Sequence, residues 1–522
     1  MASSSSFSLE ATVQDDVERT ADPPDVEIDV VCTPHVSETV PDSAKRTQER
    51  SDFQDDGETP PLTTYRVYKR RFIGLAQLVL LNIVVSWDWL TFSAVSTTSA
   101  EYFKVSEGAV NWMSTGSLFA FCAATPIVMY TLNKGGPKPA ITATSILLLV
   151  GNWIRYAGTR ANRKNGGIFG LAMFGQILIG FAQPFCLSAP TRYSDLWFSD
   201  RGRTSATALA TLANPFGAAL GQLVDSFWAP TASDVPDMVL YISIIATVAS
   251  IPSIFLPAAP PTPPSASSLA PKTPLLEAIT KILQSLEFWL IFIPFSIYVG
   301  FFNSVSSLLN QILSPHGFSE TDAGIAGGIL IIVGLVASAI VSPITDRFKH
   351  YLGTIKILVP IVAASYIGFI FAPSSPAGIA PSFVVCALLG ASSFSLLPVS
   401  LEYLVEITYP FSPEVGSTLC WTGGQLLGAI FIVVQDALKA GADDSPPFHM
   451  RNALIFSAAV AAAVVPLPLS LGLFGREVKR RRSQADRGGP GPVRNAATLT
   501  ESVTITAAAA EPTGLDSKQM TR

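Results

Sequence analysis

The chain has 522 residues, a hydrophobic fraction of 49%, a charged fraction of 14% and a formal net charge of −5. This composition agrees with a chain embedded in lipid and argues against a nucleic-acid-binding protein, which needs a basic domain or a recognition motif. The cysteines and histidines show no metal-binding spacing, so no metal, cofactor or disulfide framework is expected.

The two ends of the chain differ from its middle in composition. Residues 1–64 hold 15 acidic and four basic residues among many serines and prolines, so this segment is predicted to be a disordered acidic tail. It is either simply solvated or a regulatory tail with phosphorylated serines. It lacks the basic and apolar regions of a cleavable signal. Residues 475–522 are also predicted to be disordered.

Twelve apolar stretches lie between the two tails, each about as long as a bilayer is thick. About 20 apolar residues cross the hydrocarbon core as a helix, and these stretches are too long for barrel strands. The sequence therefore predicts an all-α membrane protein with twelve transmembrane helices, at about 72–96, 108–132, 138–158, 168–190, 203–227, 237–257, 286–312, 321–345, 354–373, 378–402, 412–438 and 451–474.

A Pro/Ser-rich segment, predicted to be a linker over 258–285, separates the first six stretches from the last six. This six-plus-six pattern resembles the major facilitator fold, with a half over 65–257, a half over 286–474 and a central cavity. Most Lys and Arg residues of the loops fall on one side, which predicts that both termini are cytoplasmic. The loop RYAGTRANRKNGG is the exception.

Three pairs of glycines stand four residues apart in apolar stretches. Such spacing lets helix backbones approach closely, so it predicts tight packing and no particular function. The pairs are Gly217 with Gly221, Gly324 with Gly328, and Gly424 with Gly428.

Four segments resemble the feline leukaemia virus subgroup C receptor-related transporters, a branch of the major facilitators that carries choline, ethanolamine or haem. They are WDWLTFSAVS in the first stretch, GQILIGFAQPFCLSAPTRYSDLWF in and after the fourth, NSVSSLLNQIL in the seventh, and LEYLVEITYPFSPEVGSTLCWTGGQLLG from the tenth to the eleventh. The resemblance covers roughly residues 70–475 and implies a transporter.

Polar and aromatic residues in the first stretch share one helical face and predict a cavity wall; they are Asn82, Ser86, Trp89, Ser93 and Ser96. By the resemblance, Trp89 matches the aromatic side chain that caps the quaternary ammonium of choline. The alternative is that Trp89 only packs between helices. Asp88, an acid inside a predicted span, either attracts a cationic substrate, takes up a proton or is a structural carboxylate.

Three amides complete the predicted substrate site. By the resemblance, Gln183 and Gln425 match positions that line the choline site, although each could instead form an interhelical hydrogen bond. Asn303 stands where the choline carriers have a tyrosine, which leaves room for a more polar substrate. Asn310 and Gln311 continue a polar face of the same stretch.

Charged residues near the ends of two stretches are gating candidates. Asp346 and Arg347 resemble the facilitator loop motif that latches helices on the inner side. Glu402 and Glu406 lie at the inner end of the tenth stretch, where they could pair with Arg347 or Arg203. Solvated loop charge is the alternative for all four.

The sequence therefore predicts a secondary transporter, and not an enzyme, that moves a small polar metabolite by alternating access, with an organic cation such as choline or ethanolamine as the candidate. It would work as a monomer in the lipid bilayer, with the plasma membrane ahead of a vacuole-like membrane. One alternative is a haem or porphyrin exporter, although all four histidines lie in tails or loops: His35, His316, His350 and His449. The other is a transport-dead membrane sensor.

Overall fold

The computed structural model describes residues 68–162, 165–198, 200–262, 274–348, 350–408 and 413–471. Both predicted tails, 1–64 and 475–522, lie outside these residues. The described residues fold into α-helices and short 3₁₀ turns, without a strand. The helices are α1 Arg71–Ala94, α2 Ser96–Phe103, α3 Glu107–Gly135, α4 Pro137–Arg160, α5 Phe169–Trp197, α6 Asp200–Trp228, α7 Val235–Ser250, α8 Leu275–Leu283, α9 Leu286–Leu313, α10 Glu320–Phe348, α11 Tyr351–Phe371, α12 Ala380–Thr408, α13 Pro413–Ala437, α14 Arg451–Ala463 and α15 Pro466–Ser470.

Eleven helical segments in this part of the chain are long and apolar enough to span a membrane. The one remaining predicted span, 203–227, is the fifth in chain order and falls within α6. This helix has 29 residues but does not reach the hydropathy of the other spans. Its first turn contains Asp200, Arg201 and Arg203, and polar residues continue to Asp225. The helix nevertheless packs along α1 and α10. The structure thus supports eleven apolar spans, with α6 as a more polar helix among them.

Three departures from the predicted elements have local causes. The first span ends at Ala94, because Val95 leaves helical geometry (φ −122°, ψ 51°) and α2 starts afresh at Ser96. The predicted linker contains the short helix α8. The last stretch divides near Pro466, whose missing N–H cannot continue α14.

Apolar clusters fill each half, and the cluster of the second half also includes Trp89, Leu90, Leu118, Ala218 and Ala219 of the first half. Within the first half α1 packs on α6, and within the second half α9 packs on α13 and α10 on α12. A Cβ at Gly217 would clash with the Ile83 carbonyl, and one at Gly424 would clash with Val299. The predicted role of the glycine pairs in helix packing is therefore confirmed. Contacts of α6 with α10 and of α3 with α13 hold the halves together.

Candidate functional site

A cavity of about 290 Å³ lies between the two halves. The first half lines it with α1, α5 and α6, and the second half with α9 to α13 and Pro468 of α15. Its volume lies at the lower end of the roughly 300–1,000 Å³ typical of small-molecule pockets. The position between two halves and the small volume point to a small solute.

Aromatic side chains from both halves form much of the cavity wall. Trp89 of α1 faces a second-half group that includes Phe295, Tyr298 and Trp421. Trp421 meets Phe295 edge to face with 5.7 Å between ring centroids. The Tyr298 hydroxyl donates to the Ala461 carbonyl at 3.1 Å, so the ring is fixed to the second half. This wall can hold a cation against aromatic faces.

Four amide side chains supply the polar part of the wall: Gln183, Asn214, Asn303 and Gln425. Asn303 Nδ2 donates to Gln425 Oε1 at 2.9 Å, which joins α9 to α13. Among the described residues, Asn214 Nδ2 and the indole Nε1 of Trp89 are buried without a hydrogen-bond partner. Because buried polar groups are normally paired, these donors are available to a bound solute.

The lining contains no Asp, Glu, Lys or Arg among the residues that the structure describes. Of the predicted substrate residues, the structure brings Trp89, Gln183, Asn303 and Gln425 together around the cavity. Asn82 and Asp88 are elsewhere. Asn82 is fully buried and donates to the carbonyls of Leu78 and Cys186, where it ties α1 to α5.

Asp88 is part of a buried ion pair inside the first half. Its Oδ1 lies 2.5 Å from Arg155 NH2, with both side chains fully buried. Its Oδ2 accepts from Asn152 Nδ2 at 2.6 Å. Gln176 accepts from Arg155 NH1 at 2.9 Å and donates to the Asp88 carbonyl at 3.0 Å. Asp88 therefore links α1 to α4 and α5 and does not line the cavity.

The same network corrects the predicted loop. Arg155 belongs to α4, which extends to Arg160, so the first residues of RYAGTRANRKNGG are helical. The guanidinium is fully buried against Asp88, although from the sequence it counted among the loop charges that contradict the predicted orientation. One of the charges that violated the predicted orientation is therefore a buried structural group.

Two residues that line the cavity, Asn214 and Trp421, were not predicted from the sequence, although the sequence contains a signal for each. Asn214 directly precedes Pro215 within a predicted span, as Gln183 precedes Pro184. Trp421 stands four residues before Gln425, hence on the same helical face. Both line the cavity. The pattern of an amide beside an intrahelical proline thus marks two cavity positions in this chain.

A polar cluster closes the end of the bundle that carries α2, here called the α2 end. The Glu320 carboxylate of α10 accepts the backbone N–H groups of Thr97 at 2.9 Å and Thr98 at 3.2 Å. It also accepts from the Thr98 hydroxyl and from Asn310 Nδ2. The first N–H groups of α2 are free because the helix restarts there, so a carboxylate from the other half caps them.

Further contacts of this cluster also cross between the halves. Asn111 of α3 and Gln311 of α9 exchange hydrogen bonds at 2.7 and 3.3 Å. Asn111 also donates to Asp436 of α13 at 2.9 Å, and Lys439 pairs with Glu107. Asn310 and Gln311, expected to continue a polar face, thus belong to the closed α2 end.

The cavity extends toward the opposite end. Its lining includes Ala208 near the start of α6, Ile291 near the start of α9, Pro343 near the end of α10 and Leu401 near the end of α12. Successive helices alternate in direction, so these residues lie at the end away from α2. The structure is closed at the α2 end.

The four gating candidates lie near that opposite end. Arg347 is exposed in the last turn of α10, and Glu402 is exposed on α12. The side chains of Asp346 and Glu406 fall outside the described part of the chain. A gating role for these four residues stays a prediction.

Two halves of membrane-spanning helices with a cavity between them are the architecture of a multi-pass membrane transporter. A family model described as Major Facilitator Superfamily matches residues 78–432, and the chain belongs to that superfamily. This confirms the family and the fold class that the sequence predicted.

Named relatives place the chain in one branch of the superfamily. It is 30% identical over 436 residues to solute carrier family 49 member A3 of Danio rerio, covering 81% of this chain and 91% of that protein. It is 29% identical over 407 residues to the choline/ethanolamine transporter FLVCR1 of Felis catus, covering 75% of this chain and 71% of that protein. The resemblance to the feline leukaemia virus receptor-related transporters is therefore confirmed.

Solved structures share the fold at low identity. A D-xylose–proton symporter has a TM-score of 0.57 and 15% identity, covering 75% of this chain and 97% of that chain. A bacterial homologue of the human lysosomal transporter Spinster, inward-facing and occupied, has a TM-score of 0.59 and 12% identity, covering 77% and 97%. These likenesses establish the fold alone.

Proposed function

We propose that this transporter carries a small organic cation with a hydroxyl or other short polar end, in the class of choline and ethanolamine. The observation that carries the proposal is the composition of the cavity wall, where Trp89 and Trp421 lie with Gln183, Asn303 and Gln425 and where the described lining residues include no formally charged side chain. A cation over an indole face gains about 0.5–2 kcal/mol. The relatives named as choline/ethanolamine transporters support the same class.

The aromatic and the polar groups of the wall bind different parts of the proposed solute. Indole faces attract the ammonium group, whereas the amides can donate to or accept from a hydroxyl group. Asn303 already donates to Gln425, so the pair presents its remaining donors and acceptors in a fixed orientation. With Asn303 in place of a tyrosine, the cage has fewer aromatic faces and more hydrogen-bonding groups. This favours a primary ammonium such as that of ethanolamine over a quaternary one.

The arrangement of the two ends supports transport by alternating access. The α2 end is held shut by contacts of Glu320, Asn111 and Lys439 across the halves. Rocking of the halves would break these contacts and open the cavity on that side. The gating candidates Asp346, Arg347, Glu402 and Glu406 would then meet at the opposite end.

We also propose that the chain works as a monomer in the plasma membrane with both termini cytoplasmic. The distribution of Lys and Arg supports this orientation, in which the α2 end faces outside. A vacuole-like membrane is the second candidate location.

A haem exporter is less well supported. Haem iron favours His, Cys, Met or Tyr ligands, and among the described lining residues only Tyr298 is of this kind, with its hydroxyl bonded to Ala461. No specific observation favours a transport-dead sensor.

The test is uptake of labelled choline, ethanolamine and a panel of neutral polar metabolites into proteoliposomes that contain the full chain. Saturable uptake of either amine, with competition between the two, would support the proposal. Uptake of a neutral metabolite alone would overturn the cation class. Failure of every solute, with counterflow also absent, would favour the sensor.

A further inference from the structure

Asp225 of α6 is a second carboxyl group buried in the first half, and the transport site described above does not use it. Its side chain is fully buried. Oδ1 accepts the indole N–H of Trp87 at 2.8 Å, and Oδ2 has no hydrogen-bond partner among the described residues. The sequence analysis treated Asp88 as the acid of the first half and overlooked this residue near the end of its fifth predicted span.

The charged groups that act on Asp225 are Asp88 of α1 and Arg155 of α4. Those two already form an ion pair, and Arg155 also donates to Asn152 and Gln176. Among the residues that the structure describes, the other helices that pack here add no charge that acts on Asp225. Helix α7 brings apolar side chains to this part of α6, and α10 brings glycines at 324, 327 and 328.

Two carboxyl groups therefore share one guanidinium. An isolated ionised carboxylate in a dry interior is costly, and a group in that position neutralises instead. Since Arg155 is committed to Asp88, Asp225 is the carboxyl group of the two that has no cationic partner. Thr91 lies beside Asp225, and its hydroxyl donates to the Trp87 carbonyl at 3.2 Å. Its oxygen is then an acceptor suited to a proton on Oδ2.

The residues around Asp225 connect it to the cavity wall. Trp87, Asp88 and Trp89 are consecutive, and each turns about 100° from the one before it on a helix. They reach, in order, Asp225 of α6, Arg155 of α4 and the cavity. A change of charge at Asp225 therefore acts on the same turn of α1 that holds the aromatic residue of the substrate site.

We infer that Asp225 is a proton-binding site and that this transporter couples solute movement to a proton. This inference rests on the transport proposed above. In this coupling Oδ2 takes up a proton in one orientation of the two halves, keeps it as a neutral carboxylic acid while the solute crosses, and releases it in the other orientation. The carboxylate left behind is buried beside Asp88, which favours uptake of the next proton before the halves rock again.

The first test detects the proton on the Asp225 carboxyl group and needs no substrate. Infrared spectra of the full-length protein in nanodiscs, taken at neutral pH in H₂O and D₂O, should show the C=O band of a buried carboxylic acid. Asp225→Asn, which keeps an acceptor for Trp87, should lack this band, and the surface variant Asp237→Asn should retain it. Absence of the band in the wild type, or its persistence in Asp225→Asn, would overturn the inference.

The second test measures whether solute uptake depends on a proton gradient. Ethanolamine and choline uptake into proteoliposomes is measured with the membrane potential clamped, with and without an inward proton gradient. A severalfold acceleration in the wild type that disappears in Asp225→Asn, while counterflow persists in the variant, would support coupling. Equal uptake rates with and without the proton gradient would overturn the coupling but leave the proposed function intact. Absence of any uptake would overturn the proposed function, and the infrared band would still report the proton.

Discussion

The Arg155 guanidinium meets the Asp88 carboxylate at 2.5 Å, and both side chains are fully buried between α1 and α4. The pair is further tied to α5 through Gln176. This relationship places a charge of the first membrane helix in the framework of the first half, although its neighbour Trp89 lines the cavity. Substitutions of the two neighbours should therefore have different consequences.

Asp88→Asn should destabilise the protein strongly, because it leaves a buried guanidinium that cannot lose its proton. Breaking one side of a buried ion pair costs about 3–5 kcal/mol. The measurement is the thermal unfolding midpoint in detergent. The control is Asp237→Asn, which removes a half-exposed partner of Arg160 at 4.0 Å and should cost about 0–1 kcal/mol. Equal shifts for the two variants would contradict the structural role of Asp88.

Arg155→Gln should gain stability at low pH, which Asp88→Asn should not. With Arg155 gone, the buried Asp88 carboxyl group can be neutralised by a proton, so the variant should gain stability as the pH falls and lose it as the pH rises. The guanidinium left in Asp88→Asn cannot lose its own proton, and ionisation of the nearby Asp225 would offset its charge only as the pH rises. Unfolding midpoints of both variants between about pH 5 and 8 check this prediction, each relative to the wild type at the same pH. A flat difference for Arg155→Gln would be the contrary outcome.

Trp89→Ala should weaken binding of the proposed organic cation. Loss of a cation–π contact of about 0.5–2 kcal/mol corresponds to a rise of roughly two- to thirtyfold in the dissociation constant. Equilibrium binding to the purified protein, or the concentration dependence of uptake, measures this. Trp112→Ala, which removes a tryptophan exposed on α3, is the matched control. Unchanged affinity in Trp89→Ala would place the cation elsewhere.

Asn303 and Gln425 should act as one unit. Asn303→Ala and Gln425→Ala each remove one partner of the 2.9 Å hydrogen bond, so the double variant should lose less affinity than the sum of the single variants. A coupling of about 0.5–1.5 kcal/mol is expected for a buried neutral bond. A double-mutant cycle on ethanolamine binding gives the value. Strict additivity would show that the pair does not bind the solute as a unit.

Glu320→Gln should loosen the α2 end. The amide keeps one acceptor oxygen but loses the negative charge that stabilises the first turn of α2 and the Asn310 contact. The expected result is faster labelling of a cysteine placed at Ser93, which is buried against Ser114 beneath the cluster. Glu101→Gln, on an exposed position of α2, should leave the rate unchanged. Equal rates in all three proteins would show that Glu320 does not hold this end closed.

Most of the architecture was predictable because lipid imposes simple rules on helix length. Apolar stretches located the spans, and the motifs shared with relatives located Trp89, Gln183 and Gln425. Helix α6 is the informative case, because it lies where the span 203–227 was predicted but is less apolar than the other spans. Its hydropathy falls below that of a membrane span because it packs against α1 and α10, and such a helix needs fewer apolar side chains than one surrounded by lipid.

The pairing of charges could not be predicted from one sequence. Arg155 lies 67 residues from Asp88, and only the packing of α1 against α4 makes an apparent loop charge a buried partner. The contacts of Glu320 are a similar case, because they depend on the restart of the helix after Val95 and on contact between the halves. Spacing reveals which residues share one helix face, but not which helix that face meets.

The burial of Arg155 against Asp88 also has a consequence for the order in which the helices enter the membrane during synthesis. A guanidinium at the centre of a membrane helix costs about 2.5–3.5 kcal/mol when that helix enters lipid alone, and this is an upper value for Arg155, which lies near the end of α4. Because α1 precedes α4 in the chain, Asp88 is synthesised before Arg155. Neutralisation by Asp88 lets α4 leave the translocon as a partner of α1 instead of as an isolated span. The first half is thus expected to assemble during synthesis, before the second half exists.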